Sequence, residues 1–140
     1  MADFTKKLAQ IPVSNDVDMN KIYMIESSMN PNALNEKSQA RGLGQITPIV
    51  LKEWNNFNPK NTYTDDQLFN PEINRQISSW YMNKRIPQML RHFKIPDTVD
   101  NRLATYNWGI GRVKQWYSQG AESNRLPTET INYINKYGGR

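Results

Sequence analysis

The sequence predicts an all-α fold built as one small domain. Three observations lead there. Apolar residues recur at helical spacing, no stretch sustains the alternation of a half-buried strand, and Asn-Pro, Thr-Pro and Pro-Thr pairs fall where helices would stop or start. At 140 residues the chain has a usual length for one domain, and no repeat, low-complexity tract or Gly/Ser-rich linker divides it. Residues 1–140 are therefore taken as a single domain with its core between about 16 and 138.

The elements follow in order. A first helix is expected from about Asp16 to Met29, with Ile22, Ile25 and Met29 on one face, ended by Asn30-Pro31 because proline disfavours the helical conformation in the residue before it. Residues 32–46 are expected to form a loop with a turn at Gly42-Leu43-Gly44. Thr47 followed by Pro48 is an N-cap with proline at the first helical position, opening a helix to about Asn56. Asn70-Pro71 repeats the signal, and the helix after it carries Ile73, Ile77, Trp80 and Tyr81 at core spacing. Pro87 should kink or divide that helix. Asp97 is expected to cap a short helix ending near Asn107. Gly109 and Gly111 then turn the chain into a segment with Val113, Trp116 and Tyr117. Leu126-Pro127-Thr128 starts a last helix that Gly138 closes.

Composition narrows the chemistry. There is no cysteine, which removes disulfides, thiolate metal sites and a Cys nucleophile. The single histidine, His92, rules out a multi-histidine metal site and leaves only one partner for any serine triad. No metal and no cofactor are expected. No window approaches the roughly 20 apolar residues of a membrane helix. The stretch Met1–Gln10 carries Lys6 and Lys7 with no apolar segment behind them, unlike a secretory signal peptide. The net charge is +5, and from Arg75 to Lys114 eight Lys or Arg face two acids, Asp97 and Asp100. Such a run makes either a basic face for a polyanion (nucleic acid, membrane surface or bacterial wall) or simply a solvated helical surface.

With thiols and histidine pairs excluded, carboxylates are the plausible agents of covalent work. Most have surface explanations: Asp16 and Asp97 near helix starts, Asp65 and Asp66 before a helix. Glu26 differs, because it follows Ile22, Tyr23, Met24 and Ile25 and falls in the last turn of its helix. Partial burial and the negative end of the helix dipole both disfavour its charged form, raising its pKa as a glycosidic general acid requires. The alternative is a Glu26 on the wet side of the helix, paired with a lysine.

The order of motifs carries the argument further. Ile25-Glu26-Ser27-Ser28-Met29-Asn30-Pro31 and Gly42-Leu43-Gly44-Gln45-Ile46-Thr47-Pro48 are followed by Leu68-Phe69-Asn70-Pro71-Glu72-Ile73-Asn74. Thr105-Tyr106-Asn107-Trp108-Gly109-Ile110-Gly111 and Glu129-Thr130-Ile131-Asn132-Tyr133-Ile134 complete the set. This series resembles the signature of the soluble lytic transglycosylase domain, a family related in fold to goose-type lysozyme: Glu-Ser, Gly-Leu-Met-Gln, Ala-Tyr-Asn with Gly-x-Gly, and a C-terminal Glu-Thr-x-x-Tyr. The matches span about residues 20–137. Five motifs in the family's order are specific where any one would be weak.

The resemblance implies a lysozyme-like helical domain with a substrate cleft that cleaves the bond between N-acetylmuramic acid and N-acetylglucosamine in peptidoglycan. It implies Glu26 as the one catalytic acid/base and a 1,6-anhydromuramic product, with no second carboxylate as nucleophile. Ser27 would steady Glu26 or a sugar group, or else bond to backbone. Gln45 would bind the N-acetyl group or glycan hydroxyls, or else lie on the surface. Tyr106 and Asn107 would line the cleft, Tyr106 near the Glu26 carboxyl. Tyr133 matches a cleft tyrosine of the family, although its spacing with Ile131 and Ile134 suits a core position equally. Glu129 is expected to cap its helix or hold the fold.

Two departures stand out. Gly44 replaces the family's Met, and Trp108 occupies a position where the family has a small residue, so that it could stack on a sugar or fill the space Gly44 leaves. Competing readings are a hydrolytic lysozyme on the same fold, with Asp65 or Asp66 activating water, a non-catalytic glycan-binding domain, and a helical nucleic-acid binder, for which no segment supplies a recognition helix. The expected partner is the peptidoglycan glycan strand, met in the bacterial cell envelope by a monomer, with no nucleic acid and no membrane insertion.

Overall fold

Helix starts in this chain are set by short polar side chains that capture backbone N–H groups. In the computed structural model, which describes residues 16–140, Asp18 accepts from the Asn20 amide at 3.0 Å and opens α1, Met19–Ser27. Thr47 accepts from Val50 and opens α2, Pro48–Phe57. Asn70 accepts from Glu72 and Ile73 and opens α3, Pro71–Trp80. In the last two, proline sits at the first helical position, where its missing N–H costs nothing. The reading of Met1–Gln10 lies outside the described residues.

Local signals alone misplace some boundaries. α1 ends two residues before Asn30-Pro31, because Ser28 and Met29 both turn left-handed (φ 55° and 64°). Their amides close back on Met24 and Tyr23. Met29 is thereby thrown off the core face and is 37% exposed. The expected loop of residues 32–46 contains a small antiparallel hairpin, β1 (Leu34–Asn35) on β2 (Ala40–Arg41), and Arg41 and Ile46 exchange both backbone hydrogen bonds at 3.0 Å. A 3-10 turn, Asp65–Phe69, leads into α3.

Pro87 divides its helix, but without a sharp break. A π-helical turn, Tyr81–Arg85, joins α3 to α4, Ile86–His92. The wider turn takes up the missing amide and the bulk of the proline ring. Asp97 does not cap α5 (Val99–Trp108). Thr98 does, accepting from Asn101 at 3.1 Å, while the Asp97 carboxylate takes a two-armed bond from Arg102 at 2.6 and 3.0 Å. Gly109 (φ 98°) links α5 directly to α6, Ile110–Ser118, whereas Gly111 lies inside α6 and serves no turn. A 3-10 turn, Ser123–Arg125, precedes α7, Thr128–Tyr137, which Gly138 closes.

The described residues are thus all-α apart from the two-residue strands. The rod formed by α3, the π-turn and α4 supplies Tyr81, Met82, Ile86, Met89 and Leu90 to a main core shared with Ile22, Leu103, Ala104, Val113 and Tyr133. A smaller core joins Ile46, Leu51, Trp54, Leu68 and Ile77 under the hairpin. Burial of each Leu, Ile, Val or Met among them stabilises the fold by about 1.5–3 kcal/mol. α5 packs on α4, α6 and α7, and α7 packs in turn on α1. That last contact brings the end of the chain against Glu26. Of the eight basic residues between Arg75 and Lys114, Arg85 pairs with Glu53, and Arg91 and Arg102 pair with Asp97, so part of the basic run is neutralised locally. Among the described residues no helix is long and apolar enough to cross a membrane.

Candidate active site

Glu26 lies in the last turn of α1, half-buried. The Tyr133 hydroxyl, from α7, donates to its Oε2 at 2.9 Å. Burial pushes the Glu26 carboxyl up to about 7, opposed by the Tyr133 hydrogen bond and assisted by the like charge of Glu129. Desolvation is the leading cause, as the apolar setting of Glu26 in the sequence implied. A carboxyl with that value is half protonated near neutrality, so it can give a proton and later take one back. Burial and the Glu26 charge together hold the phenols of Tyr106 and Tyr133 protonated, well above their ordinary value.

The groove beside Glu26 has two halves. One, of about 440 Å³, is lined by Ile25, Glu26, Asn107, Glu129, Asn132, Tyr133 and Lys136. The other, of about 240 Å³, has walls of Ile46, Ile49, Val50, Tyr81, Tyr106 and Trp108, with Gln45, Thr47 and Asn107 as its polar edge. Asn107 belongs to both halves. Its amide nitrogen donates to Glu129 at 3.4 Å and its oxygen accepts from Thr130 at 2.8 Å, which fixes it between them. One half is polar and charged, the other largely apolar. An amphipathic sugar chain presents both kinds of surface.

Of the remaining residues singled out in the sequence, Gln45 and Tyr106 line the apolar half, and Ser27 lines neither half. Gln45, left-handed at φ 51°, lines the apolar half, and its amide nitrogen donates to the Gly42 and Ala33 carbonyls at 3.0 and 3.3 Å. Ser27 directs its hydroxyl to the carbonyls of Tyr23 and Leu43, at 3.0 and 2.9 Å, and so ties α1 to the glycine loop. The group that touches the Glu26 carboxylate is Tyr133. Tyr106 donates to the Gly44 carbonyl at 2.5 Å. Asp65 faces Arg41 at 3.8 Å, and neither it nor Asp66 lines either half. Glu129 lies in the Glu26 cavity, and the α7 N-cap shows no side-chain bond from it.

Gly44 leaves no space to fill. A Cβ there would lie 2.7 Å from Ser78 Cβ and 2.9 Å from the Tyr106 hydroxyl, so Ser78 and Tyr106 already occupy the volume a side chain would need. Trp108 therefore does not compensate for Gly44; it walls the apolar half, and its indole N–H makes no hydrogen bond among the described residues.

Sequence reasoning missed the group that holds the loop. Asn74, fully buried on α3, accepts from the Gly44 amide and donates to the Arg41 and Leu68 carbonyls, each at 2.9 Å. Ser78, one turn on, donates to the Asn74 carbonyl at 2.7 Å and bonds the Tyr23 hydroxyl at 2.7 Å. A continuous polar chain thus runs from α1 through α3 to the loop and Tyr106. Its signal was present: Asn74 and Ser78 share the helical face of Ile77 and Tyr81, where polar residues must find internal partners.

A family model described as Transglycosylase SLT domain matches residues 6–127, most of the chain. Glu26, Ser27, Gln45, Tyr106 and Asn107 fall inside the matched span, and α7 with Glu129 and Tyr133 follows it. No curated protein matches the chain.

Proposed function

Since the chain belongs to the transglycosylase SLT domain family, whose members cleave glycan in the manner of lytic transglycosylases, we propose that it acts on peptidoglycan in the bacterial cell envelope. In this reading a monomer cuts between N-acetylmuramic acid and N-acetylglucosamine, with Glu26 as its only acid/base. The observation that carries the reading is Glu26 itself: a carboxyl at about 7, held by Tyr133 at the edge of a groove with one apolar and one polar half.

Protonated Glu26 gives its proton to the glycosidic oxygen, the bond to the muramic anomeric carbon breaks, and its electron pair leaves with that oxygen. The substrate's own N-acetyl oxygen stabilises the positive charge at the anomeric carbon. Glu26, now a carboxylate and still bonded to Tyr133, takes the proton of the muramic 6-hydroxyl as that oxygen bonds to the anomeric carbon. The enzyme returns to its starting state, and the product carries a 1,6-anhydro ring with no water consumed. Gln45 and Asn107 offer amides to the N-acetyl group and hydroxyls, Tyr106 keeps the Gly44 backbone in place beside the acid, and Trp108 offers a sugar ring an apolar face.

One observation favours a second reading. Glu129 faces the same cavity as Glu26 and could activate a water, which would make the enzyme a hydrolytic lysozyme. The internal 6-hydroxyl has the advantage, because a well-oriented intramolecular nucleophile reaches effective molarities of about 10⁵ M or more. Digestion of peptidoglycan in ¹⁸O-labelled water, followed by mass spectrometry of the muropeptides, separates the two. Unlabelled anhydromuramic ends, lighter by one water than hydrolysed ends, are expected. Labelled reducing ends would replace the transglycosylase reading with the lysozyme one.

A further inference from the structure

The polar half of the groove carries a charge that proton transfer does not use. α7 lines it with Glu129, Asn132, Tyr133 and Lys136, the spacing of one helical face. Tyr133 is buried and committed to Glu26. Asn132 and Lys136 are exposed, and among the described residues neither side chain makes a hydrogen bond or an ion pair. The apolar half has no charged residue in its lining. A ligand laid along both halves would therefore meet a cation only beyond Glu26, on the α7 side.

The sugar rings of the glycan are uncharged. Their anionic groups hang from the 3-position of muramic acid: the lactyl carboxylate where the strand is bare, and the carboxylates of the peptide where one is attached. We propose that Lys136, with Asn132 beside it, binds a carboxylate carried on the 3-position of the muramic residue, and so sets the preference of this groove for muramic-containing strands. This rests on the reading of the groove as a glycan-cleaving site. An ammonium on a flexible stem suits such a role, since it can follow a substituent whose position varies.

The test is binding to Glu26→Gln protein, which does not turn over, with and without Lys136→Gln. Three probes are titrated at low ionic strength: strands bearing peptides, strands stripped of peptides by an amidase, and chitin oligosaccharide, which has no carboxylate. Lys136→Gln should weaken binding of the carboxylate-bearing probes about fivefold, the scale of one exposed charge pair, and leave chitin oligosaccharide unchanged. Lys136→Arg should bind like the parent, and the difference should fade at high salt. Loss on stripped strands alone points to the lactyl carboxylate, loss on peptide-bearing strands alone to the peptide carboxylates, and loss on both to a carboxylate of either kind at that position. Equal loss on all three probes, or no loss on any, overturns the proposal. Failure of every probe to bind the parent protein would overturn the glycan-cleaving reading beneath it.

Discussion

The Tyr133 hydroxyl lies 2.9 Å from Glu26 Oε2, joining the last helix to the first across 107 positions of sequence. A hydrogen bond to a carboxylate favours its charged form, and a neighbouring carboxylate disfavours it. Tyr133 and Glu129 therefore pull the Glu26 carboxyl in opposite directions, with burial the larger influence over both. Tyr133→Phe should move the alkaline fall in kcat/KM to higher pH, and Glu129→Gln should move it to lower pH. Rate profiles through neutrality check the pair. Shifts of the same sign would contradict this account of the site.

Replacing Glu26 with Gln should remove wall lysis, lowering turnover by about 10² to 10⁴-fold or more. It should also stabilise the protein in a pH-dependent way. The folded carboxyl titrates at about 7 against an ordinary 4.5. Between those values the unfolded chain has released a proton that the folded chain still holds, so stability falls as pH rises through that window. The full cost above pH 7 is about 3 kcal/mol. Glu26→Gln should accordingly be more stable than the parent above pH 7, and the difference should vanish below 4.5. Chemical denaturation at both ends of the window measures it.

Gly44→Met would install the side chain the family usually carries here, and in this chain it should harm rather than restore. Its Cβ would press on Ser78 and on the Tyr106 hydroxyl. Overpacking of that kind costs about 1–3 kcal/mol. A lowered melting temperature together with weaker activity is expected, and an unchanged melting temperature would show that the pocket yields more easily than its packing implies.

Asn74→Ala removes three hydrogen bonds from the glycine loop and leaves the Gly44 amide and the Arg41 and Leu68 carbonyls without their partner. At about 1 kcal/mol each the loss is about 3 kcal/mol. Amide hydrogen exchange at Gly44 should accelerate more than exchange in α5 or α7. Uniform acceleration would mean that Asn74 supports the whole fold and not the loop.

Features set within a few residues were legible from sequence. Thr47-Pro48 and Asn70-Pro71 start their helices as their chemistry dictates. Where two neighbours could do one task, local reasoning chose wrongly: Thr98 caps α5, and Asp97 is drawn away by Arg102. The end of α1 was hidden for another reason, since Ser28 and Met29 enter the left-handed region without being glycine. The apolar setting of Glu26 could be seen in the sequence, but its bond to Tyr133 and its proximity to Glu129 could not. Those depend on α7 packing against α1, which no local pattern encodes.

The π-turn at Tyr81–Arg85 acts as a phase correction. Up to its first residue the buried positions are Asn74, Ile77, Ser78 and Tyr81; from its second residue on they are Met82, Ile86, Pro87, Met89 and Leu90. The second set is the first advanced by one place beyond what a regular helix would continue. In an unbroken α-helix each residue turns the face by about 100°, and the second stripe would look away from the core. The wide turn absorbs the extra residue and realigns the two. Deleting one residue from it would let both stripes face inward on a continuous helix, but Pro87 would then sit in a regular α-helical interior with its ring against a carbonyl. The inserted residue and the proline thus compensate for each other, and a change that removes only one of them should be worse tolerated than one that removes both.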